Sequence, residues 1–409
     1  MDALDAAKAL ISRLQGDGHT AYIAGGWVRD FLMDHPSDDI DIATDCPVET
    51  LLKLFDKTIP VGISFGIVIV VFKGHQFEVA TFRKDVGTLD GRRPESIKKA
   101  SPKEDALRRD FTINGMFFDP IEEEIFDFVG GKEDIEKGVI RAIGDPHERF
   151  LEDRLRMIRA VRYSARFHFP IEHETMQAIY AHAAQLFPAV AYERVWQELN
   201  KMNRFANFDI AITTLHRLEL LENIFPALKD LPIVEIESRL RYIPLFPLTS
   251  PTLSKLFELF PQSSLQEKLA ICDLFRLSNK ERAFTHSYHT IQEALANPSS
   301  EIDLYDWAKF YADPFFDLTF EIFLLRLKDP KPDRAFHTEQ MHQLEKSIDR
   351  IKRKAPIIRA SDLKAAGIKP GPQMGVLLDE AERLATNEAI DDLSDLLYRL
   401  RESPHWPIQ

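Results

Sequence analysis

The sequence predicts an α+β protein: a mixed-sheet head over residues 1–143, followed by helix almost to the end. Two observations carry that division. Up to residue 143, short runs rich in β-branched and aromatic residues alternate with helical spacings, separated by Gly, Pro and Asp turns. After Gly144-Asp145-Pro146 the apolar residues recur at helical intervals. A third feature, Asp329-Pro330-Lys331-Pro332-Asp333, reads as a linker that sets off a last helical segment.

Composition bounds the classes. The chain has 409 residues, enough for two to four domains. An apolar share of 44% and a charged share of 29% fit a globular chain with a sizeable core. No apolar run of about 18 residues occurs, so no membrane span is expected. The start, MDALDAAKAL, is acidic and amphipathic rather than a signal peptide. Cys46 and Cys272 are the only cysteines; they form no metal-spaced cluster and fit a reducing cytoplasm. The net charge of −13 argues mildly against nucleic-acid binding, although a local basic surface can override the sum.

Leu4, Ala7, Ile11 and Leu14 fall at helical spacing, giving a first helix that ends near Gly16. Tyr22-Ile23-Ala24 is a short strand that meets Gly25-Gly26, and Trp27-Val28-Arg29-Asp30 opens a helix. Asp39-Ile40-Asp41-Ile42-Ala43 reads as a strand, so Asp39 and Asp41 share a face and Asp38 points the other way. Val48, Leu51, Leu52 and Phe55 make a helix opened by Pro47. Gly66–Phe72 and His75–Phe82 read as a hairpin around Lys73-Gly74. Residues 83–103 form a polar loop containing Asp90-Gly91-Arg92-Arg93-Pro94, Ser101 to Asp110 is helical, and Phe111–Phe118 is another strand.

The stretch Tyr22–Thr44 holds the first candidate chemistry. Two carboxylates on one strand face repel unless a cation sits between them. Mg²⁺ suits such a pair because it takes oxygen ligands and keeps positions open for phosphate and water. The Gly25-Gly26 turn before a helix can aim backbone N–H groups at a phosphate, with Arg29 close by. Either feature alone is common in solvated turns; together they point to a nucleotide site. Glu78 stands in an otherwise apolar strand, either at a sheet edge or as a third carboxylate beside Asp39 and Asp41. Asp38 and Asp85 remain alternatives for that third position.

In the helical part, Leu151, Leu155, Ile158, Val161 and Ala165 form one apolar stripe. Glu152, Asp153, Arg156 and Arg159 lie opposite it, and Arg162 sits nearer the stripe, partly covered. Arg149, Arg154, Arg156, Arg159, Arg162 and Arg166 crowd this segment without a single Lys. A solvated charged face is one reading; Arg is also the residue of planar, bidentate recognition of bases and phosphates. Asp153 and Arg156 are three apart on one helical face, so both can reach one planar ligand. A further helix spans about Tyr192 to Met202 with Glu193-Arg194 and Glu198. The later Leu- and Phe-rich helices carry aromatics that read as core, and a basic patch stands at Arg350, Lys352, Arg353 and Lys354.

These motifs, in order, resemble the class II tRNA nucleotidyltransferases: CCA-adding enzymes, A-adding relatives and bacterial poly(A) polymerases. The resemblance covers residues 20–205 most closely. GGWVRD followed by DIDIAT is similar to the family's first motif. Arg108-Arg109-Asp110-Phe111-Thr112-Ile113-Asn114 resembles RRDFTIN, and Glu152-Asp153-Arg154-Leu155-Arg156 with Arg159 and Arg162 resembles the EDxxR helix. The segment Gly62–Val68 looks more like the CCA-type pattern than the basic pair and Phe of the poly(A) polymerases. The full-length loop through Asp90–Pro94 disfavours enzymes restricted to adding CC. Ile67 stands where Thr is common, and Gly115 where Ala is common.

The resemblance implies a polymerase-β-like head over 1–143, a helical neck over 144–205 that reads the base, a body over 206–330 and a tail over 331–409. Body and tail would hold the acceptor and TΨC arms of tRNA. It implies Asp39, Asp41 and Glu78 as catalytic residues, with Asp39 and Asp41 holding Mg²⁺. Gly25, Gly26 and Arg29 would meet the triphosphate, Arg109 and Asp110 the ribose, with Asn114 nearby. Asp153 and Arg156 would read the base edge, braced by Arg159 and Arg162. Asp accepts from the exocyclic amine that cytosine and adenine carry and uracil lacks. The implied reaction adds CMP, CMP and AMP to the 3′ end of tRNA from CTP and ATP, in the cytoplasm, with no protein partner evident. Two other classes stay open. A small-molecule nucleotidyltransferase would lack the EDxxR helix and long helical body; an inactive RNA-binding relative would usually have lost Asp39 or Asp41.

Overall fold

The computed structural model describes the chain apart from residues 36, 63–65, 89–93, 299–301 and 408–409. The centre of the Gly62–Val68 pattern and residues 90–93 of the expected loop therefore lie outside the described residues, as does the side chain of Asp85. The chain divides into two compact units, Met1–Ser238 and Arg239–Gln409.

The first unit opens with helix α1 (Ala3–Gly16), capped by the Asp2 side chain. Its buried side is Ala3, Ala6, Ala7, Leu10, Ile11 and Leu14; Leu4, expected in that stripe, is exposed. The described strands β1 (Ala21–Ala24), β2 (Asp41–Thr44), β3 (Thr58–Gly62), β4 (Ile67–Phe72), β5 (His75–Thr81), β8 (Met116–Asp119) and β9 (Glu124–Asp127) form a seven-stranded sheet, ordered β3-β4-β5-β2-β1-β8-β9. It is mixed: β2 and β5 run parallel and the other neighbours antiparallel. Leu10 and Leu14 of α1, Val28 of α2 (Gly26–Leu32) and Leu51 of α3 (Val48–Leu54) pack with Ile23, Ile42, Val68, Val79 and Met116 on one face. The other face carries Ala24, Ala43 and Phe117 against Phe82 and Ala106 of α4 (Pro102–Leu107). Alternation along the strands thus divides each into a core side and a side that faces the cleft.

Three segments depart from expectation, each for a local reason. Residues 83–103 are not one loop: Arg83–Thr88 (β6) pairs antiparallel with Pro94–Lys99 (β7). A two-stranded ribbon needs only backbone pairing, so its polar sequence gave no periodic signal. Phe111–Phe118 is not one strand. Thr112–Asn114 is a 3-10 turn, with the Thr112 hydroxyl donating to Asp134 at 2.7 Å and the Asn114 amide to Asp110 at 3.1 Å. Such side-chain bonds compete with the ladder.

The Arg-rich segment is two helices, α6 (Pro146–Glu152) and α7 (Leu155–Phe167), not one. Between them Asp153 is extended and its carboxylate accepts from the Leu155 N–H at 3.1 Å. The stripe Leu155, Ile158, Val161 and Ala165 is buried as expected, whereas Leu151, before the break, is exposed.

Helix α5 (Gly131–Lys137) closes the head, and α8 (His173–His182), α9 (Tyr192–Asn203), α10 (Phe208–Arg217) and α11 (Leu220–Ile224) complete this unit's larger helices. Among its described residues the second unit's regular elements are all helices. Its aromatics Trp307, Tyr311, Phe316 and Phe320 are buried in one core, as read from the sequence, and Leu363, Leu377, Leu396 and Leu400 build another. The expected linker is shorter than 329–333, because a helix already begins at Lys331 with Pro332 in its first turn, where no intrahelical N–H is needed.

Candidate active site

Strand β1 runs straight into Gly25-Gly26, and β2 starts beside its end, with Ala24 opposite Asp41. On the other flank Asp41 lies opposite Glu78 of β5. Directly opposed residues share a sheet face, so these two carboxylates stand side by side. Strand β5 is interior, between β4 and β2, so the edge reading of Glu78 falls away. Asp39 precedes β2 rather than belonging to it, yet it lines the same cleft of about 730 Å³ as Asp41 and Glu78. Asp38 is exposed and is not part of that lining.

The electrostatics follow from this placement. Desolvation in the cleft, then repulsion from Glu78 and Asp39, push the Asp41 carboxyl up to about 7; Arg109 offsets only part of it. The residue is nevertheless exposed by surface area, at the wall of the open cleft, so solvent screens part of this repulsion. Among the described residues no three His, Cys, Asp or Glu side chains close around a point. The donors are instead one-sided and all oxygen. That set fits a hard divalent cation which completes its shell with phosphate and water.

The other walls are basic. Gly25 has a φ of +72°, and a Cβ there would meet Arg109 Nη1 at 2.8 Å. Its N–H already donates to the Met116 carbonyl at 3.1 Å, so it is not free for phosphate as the sequence had suggested. Arg29 is buried, donating through Nε and Nη2 to Asp30 at 2.9 and 2.7 Å and through Nη1 to the Asn114 side chain. Arg109 is held by Asp105, its Nη2 at 3.1 Å, with Arg108 on the same carboxylate at 2.8 Å. Asp110 accepts from the Phe111 N–H, the Asn114 amide and Arg159 Nε, the last at 2.8 Å. Burial alone would raise its carboxyl, but Arg159, the Asn114 bond and Arg156 outweigh it and hold the group far below the usual carboxylate range.

Asp153 and Arg156 both line the cleft, though not from one helix face. Asp153 sits at the break, its carboxylate bridged by Arg194 at 3.1 and 2.8 Å. Arg156 donates to Glu152 at 2.8 Å and to the Arg149 and Arg108 carbonyls. Arg162 is buried on Glu198 at 2.6 Å, more deeply than the partial cover expected. The structure also brings in residues that were not singled out as site candidates: Asp30, Arg166, Arg194, Lys201 and Arg204. Asp30 and Arg166 were visible within GGWVRD and the Arg-rich segment. Arg194, Lys201 and Arg204 reach the cleft because α9 packs on α7, which no local pattern announces.

Comparison with known proteins identifies the family. Residues 21–141 match the family model of the poly A polymerase head domain, and residues 168–231 match that of a probable RNA and SrmB-binding site of polymerase A. A CCA-adding enzyme of Staphylococcus saprophyticus is 32% identical over 385 residues, covering 92% of this chain and 93% of that one. One from Bacillus cytotoxicus is 44% identical over 199 residues, covering 48% and 49%. The crystal structure of the Bacillus stearothermophilus CCA-adding enzyme in complex with CTP superposes with a TM-score of 0.78 at 26% identity, covering 98% of each chain. With relatedness extending over nearly its whole length, this chain belongs to the family of the CCA-adding enzymes, nucleotidyltransferases with a poly(A) polymerase-type head.

Proposed function

We propose that the chain completes the 3′ end of tRNA by adding CMP, CMP and AMP from CTP and ATP, with release of pyrophosphate. One observation carries this reading: the carboxylates Asp39, Asp41 and Glu78 share a single cleft with the base-reading pair Asp153 and Arg156. In that reading Asp39 and Asp41 hold Mg²⁺, whose role is to acidify the primer 3′-hydroxyl and to steady the departing pyrophosphate. Glu78, beside Asp41, adds negative charge that favours the cation. Asp110 accepts from the ribose 2′-hydroxyl, and Arg109 flanks it. Asp153, already fixed by Arg194, accepts from the exocyclic amine, and Arg156 donates to the ring edge. Arg159 and Arg162 keep that helix face in place. The turn at Gly25-Gly26 lies under the triphosphate.

The division of labour follows the helical regions: the neck, 144–205, chooses the nucleotide, while the body, 206–330, and the tail, 331–409, hold tRNA by shape and backbone. A cytoplasmic setting belongs to this reading: both cysteines are free and buried, and no helix among the described residues is long and apolar enough to cross a membrane.

The test uses tRNA transcripts ending before CCA, after C and after CC, each given CTP, ATP or both. Completion of all three supports the proposal. Extension of the CC-ended transcript alone, with ATP, makes the chain an A-adding enzyme. Long adenosine ladders on any RNA make it a poly(A) polymerase, and an Asp39→Ala variant as active as the parent sinks the assignment of the carboxylates.

A further inference from the structure

The second unit holds a cavity of about 400 Å³ that shares no lining residue with the carboxylate cleft. Its walls are the turn after the helix Thr252–Phe257, the helices Leu265–Leu274 and Asn279–Ala296, and Arg326. Glu258, Lys268 and His289 all line it and are all buried. Charged side chains are seldom buried unless they are paired. Arg326 and Glu258 obey that rule: the guanidinium donates to Glu258, to the Gln292 side-chain oxygen and to the Tyr288 hydroxyl.

Lys268 does not. Only 8% of it is exposed, and its Nζ donates to the Ser263 carbonyl at 2.6 Å and meets His289 Nδ1 at 3.2 Å. An ammonium has three donors and no acceptor, so His289 Nδ1 must be the acceptor. The ring proton then sits on Nε2, which faces Glu293 at 3.4 Å. Both hydrogen-bond partners of Lys268 are therefore uncharged. Among the described residues its third N–H meets no acceptor, and no carboxylate forms an ion pair with it. Burial pulls its pKa below the ordinary lysine range, and Glu293 restores only part of that. The Phe257 ring, centred 5.9 Å from Nζ, is a weak substitute for a counter-ion.

A buried cation without a counter-ion costs stability, and an anion in the cavity would supply the missing charge. The volume exceeds what a bare oxyanion fills and lies within the range of small-molecule sites, about 300–1,000 Å³. Phe257 and Phe260 line the same space, and aromatic rings are the surfaces on which bases stack. We propose that this cavity is a nucleotide site in the second unit, in which Lys268 binds the phosphate of a nucleotide, free or within an RNA chain. The inference does not depend on the roles read into the carboxylate cleft.

The test compares the parent with Lys268→Met, which removes the charge and keeps an unbranched side chain. Titration calorimetry in EDTA measures inorganic phosphate and AMP, and filter binding measures a tRNA transcript. Anions held elsewhere on the protein do not feel the substitution, so affinity lost in the variant reports this cavity. If the site takes a free nucleotide, Lys268→Met weakens AMP about tenfold or more, as expected when a hydrogen bond to a charged group is lost. If it takes a nucleotide of an RNA chain, the same loss falls on the transcript and AMP is unchanged. Where Lys268→Met does not give the parent's cooperative melt, Lys268→Gln, which keeps a donor for the Ser263 carbonyl, carries the same readouts. Equal affinity of parent and variant for all three probes overturns the proposal and leaves Lys268 as a support for the Ser263 turn. Phosphate and AMP that bind equally well and depend equally on Lys268 overturn the nucleotide assignment, because the rings then add nothing to the charge.

Discussion

At the scale of single residues, Asp41 is a candidate cation ligand whose ionisation is governed by its surroundings. Its carboxyl is pushed from 3.8 to about 7 by burial first, then by Glu78 and Asp39. A carboxyl raised on folding favours the folded state only while protonated. That contribution is complete below the unfolded value of 3.8 and is lost as pH rises through about 7. Metal-free protein therefore loses thermal stability between about pH 4 and pH 7, and Asp41→Asn flattens the profile. A cation needs the ionised form, so its affinity runs the opposite way. Titration calorimetry with Mg²⁺ should show binding tightening by up to about tenfold per pH unit below 7, then levelling off. Affinity that is flat across this range would mean that Asp41 is not a ligand.

At the scale of the element, the short turn Thr112–Asn114 leading into β8 decides where Asn114 and Asp110 sit, and Gly115 makes that turn possible. A Cβ at Gly115 would meet Val129 Cγ2 at 2.6 Å and Ile143 Cδ1 at 2.9 Å. The space that a methyl would fill is taken by Val129 and Ile143. Gly115→Ala is accordingly expected to cost about 1–3 kcal/mol by overpacking, and Val129→Ala in the same chain to restore most of it. Thermal melts of the single and double variants check this, and a single variant as stable as the parent would show that the neighbours yield freely. The same element shows how far the sequence could be read. Asp41 and Glu78 could be read as candidates because a strand's period of two announces which side chains share a face, whereas Asp39 lies before β2 and the Arg-rich segment stood out by composition, not by one continuous helical face. The break at Asp153 was not, because its cause is one side chain accepting from the Leu155 N–H, a choice that periodicity averages away. The β6–β7 ribbon was hidden for a related reason, since backbone pairing leaves no mark on polarity. Arg194 was seen on its helix without a role; only the packing of α9 on α7 carries it to Asp153.

At the scale of the whole molecule, the proposed function requires a chain with a net charge of −13 to bind a polyanion. Long-range attraction cannot supply that, because the net charge has the same sign as the polyanion and fields between exposed charges are largely screened beyond a Debye length of about 8–10 Å. The contact must be made by strips where cations stand free of their own acids. In the second unit, Lys352, Arg353 and Lys354 are exposed at the end of the helix Glu345–Arg353, and Arg353 is partly answered by Asp349 at 2.8 Å. Lys352 and Lys354 are therefore the stronger candidates for phosphate contacts. For each such contact the logarithm of the binding constant falls with the logarithm of salt concentration with a slope of about 0.7–0.9. Lys352→Glu and Lys354→Glu should each weaken tRNA binding at low salt and lower that slope by about one, while leaving the choice between CTP and ATP unchanged. Filter binding over a salt series separates the cases. An unchanged slope moves the tRNA surface elsewhere, and a changed nucleotide choice would mean that the second unit reports on the base-reading cleft as well as on the RNA backbone.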